Sequence, residues 1–420
     1  MFKKRSVTYS IPKSTFQYIF IIIFTNFALF SIELKFLPIN SFYLTFAFSI
    51  LYISFLYKWN LFVNLLKYEI LILSLITAYS IILLIFKGGD VSFVKNHFFI
   101  LSFLGTSFFI NLFCLKYNFD IIKVFQTVIF INVIFTILLF LSPQLNDIFS
   151  KIIDFKFHGS EASLIEDDTR GFALMSRGPY YDYPILIGFS IILTFERIKN
   201  SNYSYNKALP LLILSIIAIG INARIGFVPV VIYLTFQTIS KLSFKRIMIF
   251  GILISLFIFL LSKGLIITNE KLEWVIEPFI WTYNLIFKNG AEIGHFRILF
   301  GGFFFFPERT SDLIFGSGIN VFDAQYIPGI GYRNSDMGYI RQIFYGGITY
   351  LTLVAFFIYF LTKNLHHISN KIKGKYFLSS IFLLSIMLCN IKGNFFQGNS
   401  VIYALLLIST TIHYKSIYKK

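Results

Sequence analysis

The sequence predicts an all-α polytopic integral membrane protein with about 12 transmembrane helices and two long loops that contain interfacial helices. Three observations lead to this prediction. Hydrophobic residues make up 56% of the 420 residues, and the mean hydropathy is +0.74, whereas soluble domains are about half apolar and more charged. Apolar runs near the ~20 residues that cross a bilayer recur along the chain. The net positive charge falls in alternate connections, as in multi-pass proteins.

Twelve apolar runs account for the predicted spans. Their backbone must satisfy its own hydrogen bonds in lipid, so each run is expected to be helical. The runs form three groups, in 1–142, 183–262 and 339–420, separated by the long loops 143–182 and 263–338. In order, the predicted spans are 15–32, 36–57, 68–86, 97–115, 122–142, 183–196, 208–222, 225–240, 247–262, 339–361, 376–391 and 399–413.

Charge decides the orientation of these spans. With the amino terminus in the cytoplasm, the cytoplasmic segments hold 21 of the 37 Lys and Arg residues and three of the 20 acidic residues. The other side holds the remaining 16 basic and 17 acidic residues. An excess of Lys and Arg in short cytoplasmic loops sets topology, so both termini are predicted to be cytoplasmic. The net charge of +17 therefore indicates topology and not a nucleic-acid-binding surface.

The first long loop holds Arg170 and Arg177, beside the acidic run EDD (166–168) and the aromatic run YYDY (180–183). Long loops are usually functional or disordered, and the aromatic content argues against disorder. Two interpretations stay open. The loop is a solvated polar connection, or it is a sugar-binding lip in which Tyr rings stack on sugars and Asp and Arg hydrogen-bond hydroxyls.

The second long loop contains two apolar stretches that are not expected to span. Segment 271–288 has an apolar helical stripe flanked by Trp residues, which predicts a helix in the membrane interface. Segment 290–307 has an apolar part of about eleven residues and is predicted to be interfacial or re-entrant. In a helix, Glu292 and His295 would share a face while Arg297 points elsewhere, so the sequence does not predict a preformed triad there.

Arg224 lies in the turn INARIG (221–226) of a tight hairpin, at the membrane surface away from the cytoplasm. It is the only charged residue between Lys207 and Lys241. It is either an interfacial anchor or a ligand for an anion, because a guanidinium binds phosphate oxygens bidentately and keeps its charge. The second interpretation points to a lipid-linked phosphate or diphosphate as substrate.

Other sites and classes find little support in the sequence. There is no Walker loop, no kinase loop and no Gly-rich strand-to-helix turn for a nucleotide. Zinc-type His and Cys spacings are absent, and the pair DD at 167–168 is a weak signal for a divalent ion. We therefore predict no metal and no cofactor. The polar residues cluster outside the spans, whereas a transporter more often places ionisable groups near the bilayer centre.

Two stretches resemble the O-antigen polymerase and ligase superfamily. NARIGFVPVVIYL resembles its short Arg-containing hairpin. The stretch from HFRILFGGFFFFPERTSDLIFGSGIN to NSDMGYIRQIFYGGITYL resembles its carboxy-terminal signature, and together the motifs cover about 208–350. The signature elements are Arg297, Gly316 with Gly318, Ser335-Asp336, and Gly346-Gly347. Ligases tend to carry His-Asn at the polar pair, so this chain is more similar to the polymerases, the Wzy family.

The resemblance implies a glycosyltransferase in the bacterial inner membrane, with both long loops and the active site facing the periplasm. It would move a glycan from undecaprenyl diphosphate to the non-reducing end of another lipid-linked repeat unit. Its partners would be undecaprenyl-diphosphate-linked oligosaccharide and membrane lipid, with a chain-length regulator as a further partner and no nucleic acid. The alternatives are an O-antigen ligase and, in a different class, a flippase or transporter of lipid-linked oligosaccharide.

This chemistry assigns roles to eight residues. The departing diphosphate requires preplaced cations, and the attacking hydroxyl requires a proton acceptor within ~3 Å. For Arg341 an interfacial anchor, and for Asp336 an N-cap of the following helix, stay open as alternatives. The residues assigned to the diphosphate are Arg224, Arg297 and Arg341; those assigned as base are Asp336, then Glu292 and His295; those assigned to the acceptor chain are Arg170 and Arg177.

Overall fold

The computed structural model describes most of the chain, and the described part is predominantly helical. Its residues are 15–37, 39–153, 182–199, 204–240, 304–322, 325–327, 331–335, 337–363, 365, 377–394, 396 and 400–418. Predicted span 247–262, the predicted interfacial helix 271–288 and most of the first long loop lie outside these residues.

Six helices form the amino-terminal part. Asn40, Asp90 and Asp120 each accept a hydrogen bond from the backbone N–H two residues further on, at 2.7, 2.8 and 3.1 Å, and so cap the helices that follow. Gly88, in the left-handed region at φ 63°, ends the third helix. The helices are α1 Thr15–Phe30, α2 Ser41–Phe55, α3 Trp59–Lys87, α4 Val91–Lys116, α5 Ile121–Leu141 and α6 Pro143–Ile152.

The remaining elements follow the two long loops. A 3-10 turn, Arg224–Gly226, joins two of the helices. A pair of short antiparallel strands, β1 and β2, lies in the second long loop, with Tyr326 opposite Tyr332. The elements are α7 Asp182–Lys199, α8 Tyr205–Asn222, α9 Phe227–Ser240, α10 Thr310–Phe315, β1 Gln325–Ile327, β2 Gly331–Arg333, α11 Gly338–Thr362, α12 Phe377–Cys389 and α13 Ser400–Tyr418.

Within the described residues, four helices are long and apolar enough to cross a membrane by length and composition: α3, α4, α5 and α11. Shorter apolar helices occur in α1, α2, α8, α9, α12 and α13. A helix overlaps each predicted span except 247–262, which is not described. The membrane-embedded, helical character of the protein is thus confirmed, while the number of spans stays a prediction.

Three details add to the predicted fold. The described part of the chain is helical apart from the short strands β1 and β2, which pair in the second long loop. The first long loop begins with helix α6, whose Pro occupies the first turn behind an N-cap at Ser142. Helix α3 begins earlier than the predicted span and is kinked at Leu66 (φ −111°, ψ 17°). Glu69 therefore lies shortly after the kink, in the body of the helix.

Contacts between helix ends place these ends at two opposite faces of the helical bundle. On the face that we call the loop face, Lys35 N donates to Ile152 O at 2.8 Å and Asp90 N donates to Gly318 O at 2.9 Å. On the opposite face, Glu69 lies 3.8 Å from His413. These pairings agree with the alternation expected of antiparallel spans, and the described parts of both long loops that make these contacts lie at the loop face.

Candidate functional site at the loop face

Helix α11 is broken at Gly347, whose φ of 69° and ψ of −170° lie in a region that only glycine adopts readily. The break separates an upper segment (338–346) from a lower segment (348–362). At the break the carbonyls of Phe344, Tyr345 and Gly346 accept hydrogen bonds from groups outside the helix. In lipid, an unsatisfied backbone carbonyl costs several kcal/mol. A break inside an apolar, membrane-spanning helix therefore needs hydrogen-bond donors from outside that helix.

The donors come from a stretch of the second long loop that we call the docking segment (314–318). Ser317 N donates to Phe344 O at 2.8 Å, and Gly318 N donates to Tyr345 O at 2.9 Å. In return, Thr349 Oγ1 donates to Ile314 O at 2.8 Å. The docking segment thus completes the hydrogen bonding of the broken helix.

Glycines make this contact sterically possible. A Cβ on Gly316 would lie 2.2 Å from Tyr345 O and 2.4 Å from Gly346 Cα, and a Cβ on Gly347 would lie 2.3 Å from Ile314 O. Atoms that are not bonded to each other do not approach this closely, so a side chain at either position would force the two segments apart. The structure therefore brings together the glycines that the sequence motif pairs across about thirty residues, and it gives a packing reason for them.

Helix α3 supports the same contact, which the sequence did not indicate. The hydroxyl of Tyr79 lies 2.9 Å from Phe315 O and 3.0 Å from Gly346 O. At the end of the helix, Lys87 and Asp312 form an ion pair at 3.0 Å. In the sequence Tyr79 does not differ from the other aromatic residues of the predicted spans. Its role depends on tertiary contacts, which no local pattern reveals.

Arg341 lies in the upper segment of α11 and is half-buried. Its Nη2 donates to Asn320 Oδ1 at 3.4 Å, and its guanidinium carbon lies 4.4 Å from the centre of the Phe322 ring, a cation–π geometry. Arg341 therefore contacts the second long loop. This placement favours a role at the loop face over a lipid-facing anchor.

The residues before α11 form a tight turn. Ser335 is fully buried; its N donates to Val321 O at 2.7 Å and its Oγ accepts from Met337 N at 3.2 Å. Met337 occupies the N-cap position and provides no side-chain cap. Asp336 lies outside the described residues, so both of its alternatives, base and N-cap, stay predictions.

A cluster of buried amides lies beside the head of α11. Gln342 Nε2 donates to Asn394 Oδ1 at 2.9 Å, and Asn390 Nδ2 donates to Gln342 Oε1 at 3.2 Å. Gly338 packs on this cluster, since a Cβ there would lie 2.5 Å from Gly393 O. The sequence did not indicate these amides, because Asn and Gln next to an apolar run are not distinctive.

The Arg224 turn lies against the same part of the bundle. Its Ile225 O is 4.0 Å from the Sγ of Cys389, the residue before Asn390. A Cβ on Gly226 would lie 2.4 Å from Pro184 O, so the turn packs closely on the start of α7. The backbone at Arg224 and the head of α11 therefore flank the end of α12. The side chain of Arg224 is outside the described part of the protein.

No protein-family model, curated protein or solved structure matches this chain. The resemblance of its motifs therefore rests on the residues alone.

The lip interpretation is wrong for two residues at the end of the first long loop. Asp182 is 2% exposed, and its Oδ2 accepts a hydrogen bond from Ser400 N at 3.0 Å. Tyr183 is fully buried, and its hydroxyl lies 3.0 Å from Thr136 Oγ1. Asp182 thus satisfies a free N–H at the start of α13, and neither side chain faces a sugar.

In the described part of the chain, several buried ionisable side chains lie inside helices, where the sequence predicted few, and Glu196 (1% exposed) is one of them. His97 is 1% exposed, and its Nε2 lies 2.8 Å from the hydroxyl of Tyr350. Glu69 is fully buried near His413. Among the described residues, no group of three or more His, Cys, Asp or Glu is placed to hold a metal ion.

Most residues assigned to the chemistry lie outside the described part of the protein. Of the eight, Arg341 is described with its side chain and Arg224 with its backbone. The structure brings these two to one face, and it describes no contact between them. The assigned residues outside the described ranges are Arg170, Arg177, Glu292, His295, Arg297 and Asp336.

Proposed function

We propose that the protein is an O-antigen polymerase, a glycosyltransferase that extends surface polysaccharide from undecaprenyl-diphosphate-linked repeat units at the periplasmic side of the bacterial inner membrane. The observation that best supports this is that Arg341 and the backbone of the Arg224 turn lie at one face of the bundle, on elements that both contact the end of α12. A site at the loop face with fixed guanidinium groups suits a diphosphate held at headgroup depth.

The proposed reaction uses a bond that is already activated. The anomeric carbon of the donor glycan bonds to the attacking hydroxyl, and its bond to the diphosphate oxygen breaks. Arg224, Arg297 and Arg341 stabilise the charge that grows on the diphosphate. The proton of the attacking hydroxyl passes to a carboxylate or imidazole, with Asp336 first among the candidates and Glu292 and His295 behind it. Arg170 and Arg177 bind the acceptor chain.

The competing class is a flippase of the same lipid-linked unit. Buried His97 and Glu69 favour it to some degree, because ionisable residues inside spans often mark transport pathways. Against it, Glu69 lies close behind the kink at Leu66 and His97 lies in the second turn of α4. Glu69 thus lies near the start of the part of α3 that follows the kink, and His97 lies in the first third of α4. We therefore retain the enzyme as the first proposal.

Reporter insertions test the proposed topology. Insertions after Lys207 and Lys375 should report a cytoplasmic location, and insertions within 145–180 and 265–330 should report a periplasmic one. This follows from the Lys and Arg excess of the cytoplasmic segments. A cytoplasmic signal from either long loop would remove the proposed site together with the topology.

The function itself is tested by gene deletion in the host and by reconstitution. A polymerase deletion should leave lipopolysaccharide core capped by one repeat unit, because ligation proceeds without polymerisation. A ligase deletion gives bare core with polymer retained on undecaprenyl diphosphate, and a flippase deletion gives bare core without polymer. In addition, purified protein and lipid-linked repeat units alone should yield a ladder of chain lengths. Failure to form a ladder would reject the enzyme.

A further inference from the structure

We propose that Tyr79 is a positioning residue for the loop-face site, and that its hydroxyl fixes the upper segment of α11 relative to the docking segment. The consequence for turnover rests on the proposed function, whereas the structural part does not. Tyr79 is half-buried in α3, outside every motif that the sequence analysis singled out. Its hydroxyl carries one proton and lies between two carbonyls, at 2.9 Å from Phe315 O and 3.0 Å from Gly346 O.

The two carbonyls belong to two chain segments that meet again at Arg341. From Phe315 the chain runs through the docking segment to Asn320 and Phe322, which contact the guanidinium of Arg341. From Gly346 the upper segment runs back to Arg341 itself. Tyr79 therefore links the docking segment and the upper segment at one end, and Arg341 links the same two segments at the other end. A shift of either carbonyl should in this way move the guanidinium of Arg341.

The upper segment of α11 depends on contacts with other elements for its position. The break at Gly347 interrupts the helix below it, so the segment is not held in line by a continuous backbone ladder. Its lower end is held by Ser317 N and Gly318 N, which belong to the docking segment. Its head is held by the amides of Asn390 and Asn394, and at the break a third element anchors both segments.

Helix α3 is that third element. It carries Tyr79 at the break and Lys87, which pairs with Asp312 at 3.0 Å. Just beyond it Asp90, the N-cap of α4, donates its backbone N–H to Gly318 O at 2.9 Å. The Lys87 pair is partly exposed, and exposed ion pairs contribute little. Asp90 contacts the docking segment but not the upper segment. Among these three contacts, Tyr79 is the one that reaches both segments.

The test is a Tyr79→Phe variant, with Tyr68→Phe as the matched control on the same helix. Phe at 79 keeps the ring and removes the hydroxyl, and Tyr68 is half exposed with a ring contact to Phe360. We expect amide hydrogen exchange in 314–320 and 338–347 to rise about fivefold in Tyr79→Phe, the effect of losing one hydrogen bond. The Tyr68→Phe variant should exchange like the wild type.

Turnover provides the second readout. With purified protein and lipid-linked repeat units, Tyr79→Phe should lower kcat by about fivefold and leave KM within about twofold, as expected for an interaction that matters in the transition state. Unchanged exchange would overturn the anchoring role, and faster exchange with an unchanged kcat would overturn the positioning role. Wild-type protein that forms no ladder would reject the proposed function and the catalytic role of Tyr79, whereas the exchange result would still decide the anchoring.

Discussion

Arg224→Lys should yield single repeat units or short chains in place of full-length polymer, while the abundance of the protein in the membrane stays near that of the wild type. A lysine presents a point charge and cannot form the two parallel N–H···O bonds that a guanidinium makes to a phosphate. Removing one charge-stabilising donor typically lowers the rate by ~10²–10³. The measurement is the length distribution of lipopolysaccharide on a gel, with quantification of the protein by immunoblot.

The control for this variant is Arg197→Lys on the opposite face. Arg197 Nη1 donates to Gln126 Oε1 at 2.6 Å, and its Nη2 lies 3.7 Å from Asp120. The same substitution there disturbs a structural contact and should leave the polymer at full length. If Arg224 is instead an interfacial anchor, its replacement by Lys should be silent, because both side chains extend to the interface. Full-length polymer from Arg224→Lys would thus refute the diphosphate assignment.

A double variant extends the argument to the second arginine. Arg297→Lys should behave like Arg224→Lys if both bind the same diphosphate. The double variant should then be little worse than either single one, because residues that act as a unit are not additive. Independent losses that multiply would show that the two arginines serve different steps.

Gly347→Ala should destabilise the protein by about 2–6 kcal/mol, which combines the cost of an alanine in a glycine-only conformation with the cost of overpacking. Its φ of 69° and ψ of −170° exclude a relaxed alanine, and its Cβ would lie 2.3 Å from Ile314 O. The docking segment would have to leave the break, and the released carbonyls would lose their donors. Thermal unfolding in detergent and the yield of monodisperse protein measure this effect.

Gly88→Ala and Gly331→Ala separate the cost of placing alanine in a glycine conformation from the cost of overpacking. Both glycines have positive φ, 63° and 85°, but a Cβ on either would meet nothing within 4 Å. Alanine at Gly88 should cost about 1 kcal/mol, the ordinary penalty for leaving glycine in a left-handed cap. Gly316→Ala, with a Cβ 2.2 Å from Tyr345 O, should resemble Gly347→Ala. Equal stability of Gly347→Ala and Gly88→Ala would show that the close approach at the break contributes nothing.

The helices were predictable because lipid imposes a simple rule on the backbone. The predicted span 339–361 corresponds to α11, Gly338–Thr362, and 122–142 corresponds to α5, Ile121–Leu141. The break at Gly347 was not predictable, since the apolar run continues on both sides of it. Glycine in a membrane helix also has other roles, such as close helix packing, so its presence does not identify a break.

The site was less predictable than the fold, for a different physical reason. A sequence shows which side chains carry charge, and so it indicated Arg341 and the Arg224 turn. It does not show which polar groups are already occupied inside the protein. Asp182 looked like a ligand for sugar hydroxyls, and it caps α13. Tyr79, Gln342 and Asn390 looked unremarkable in sequence, and they hold the head of α11 through contacts with residues 48 to 267 positions away.

The hydrogen bond between Asp182 and Ser400 also constrains how the protein is assembled. The ribosome makes Asp182 long before the helix whose N–H it binds, so α7 enters the membrane with a carboxylate that must stay hydrated or be held by another factor. In the folded protein α13 covers that carboxylate and supplies its donor. A chain that ends before Ser400 would bury Asp182 without this donor, or would leave α7 incompletely inserted. Reporters that replace the rest of the chain would therefore describe an assembly intermediate, and reporters inserted into the complete chain would describe the finished protein.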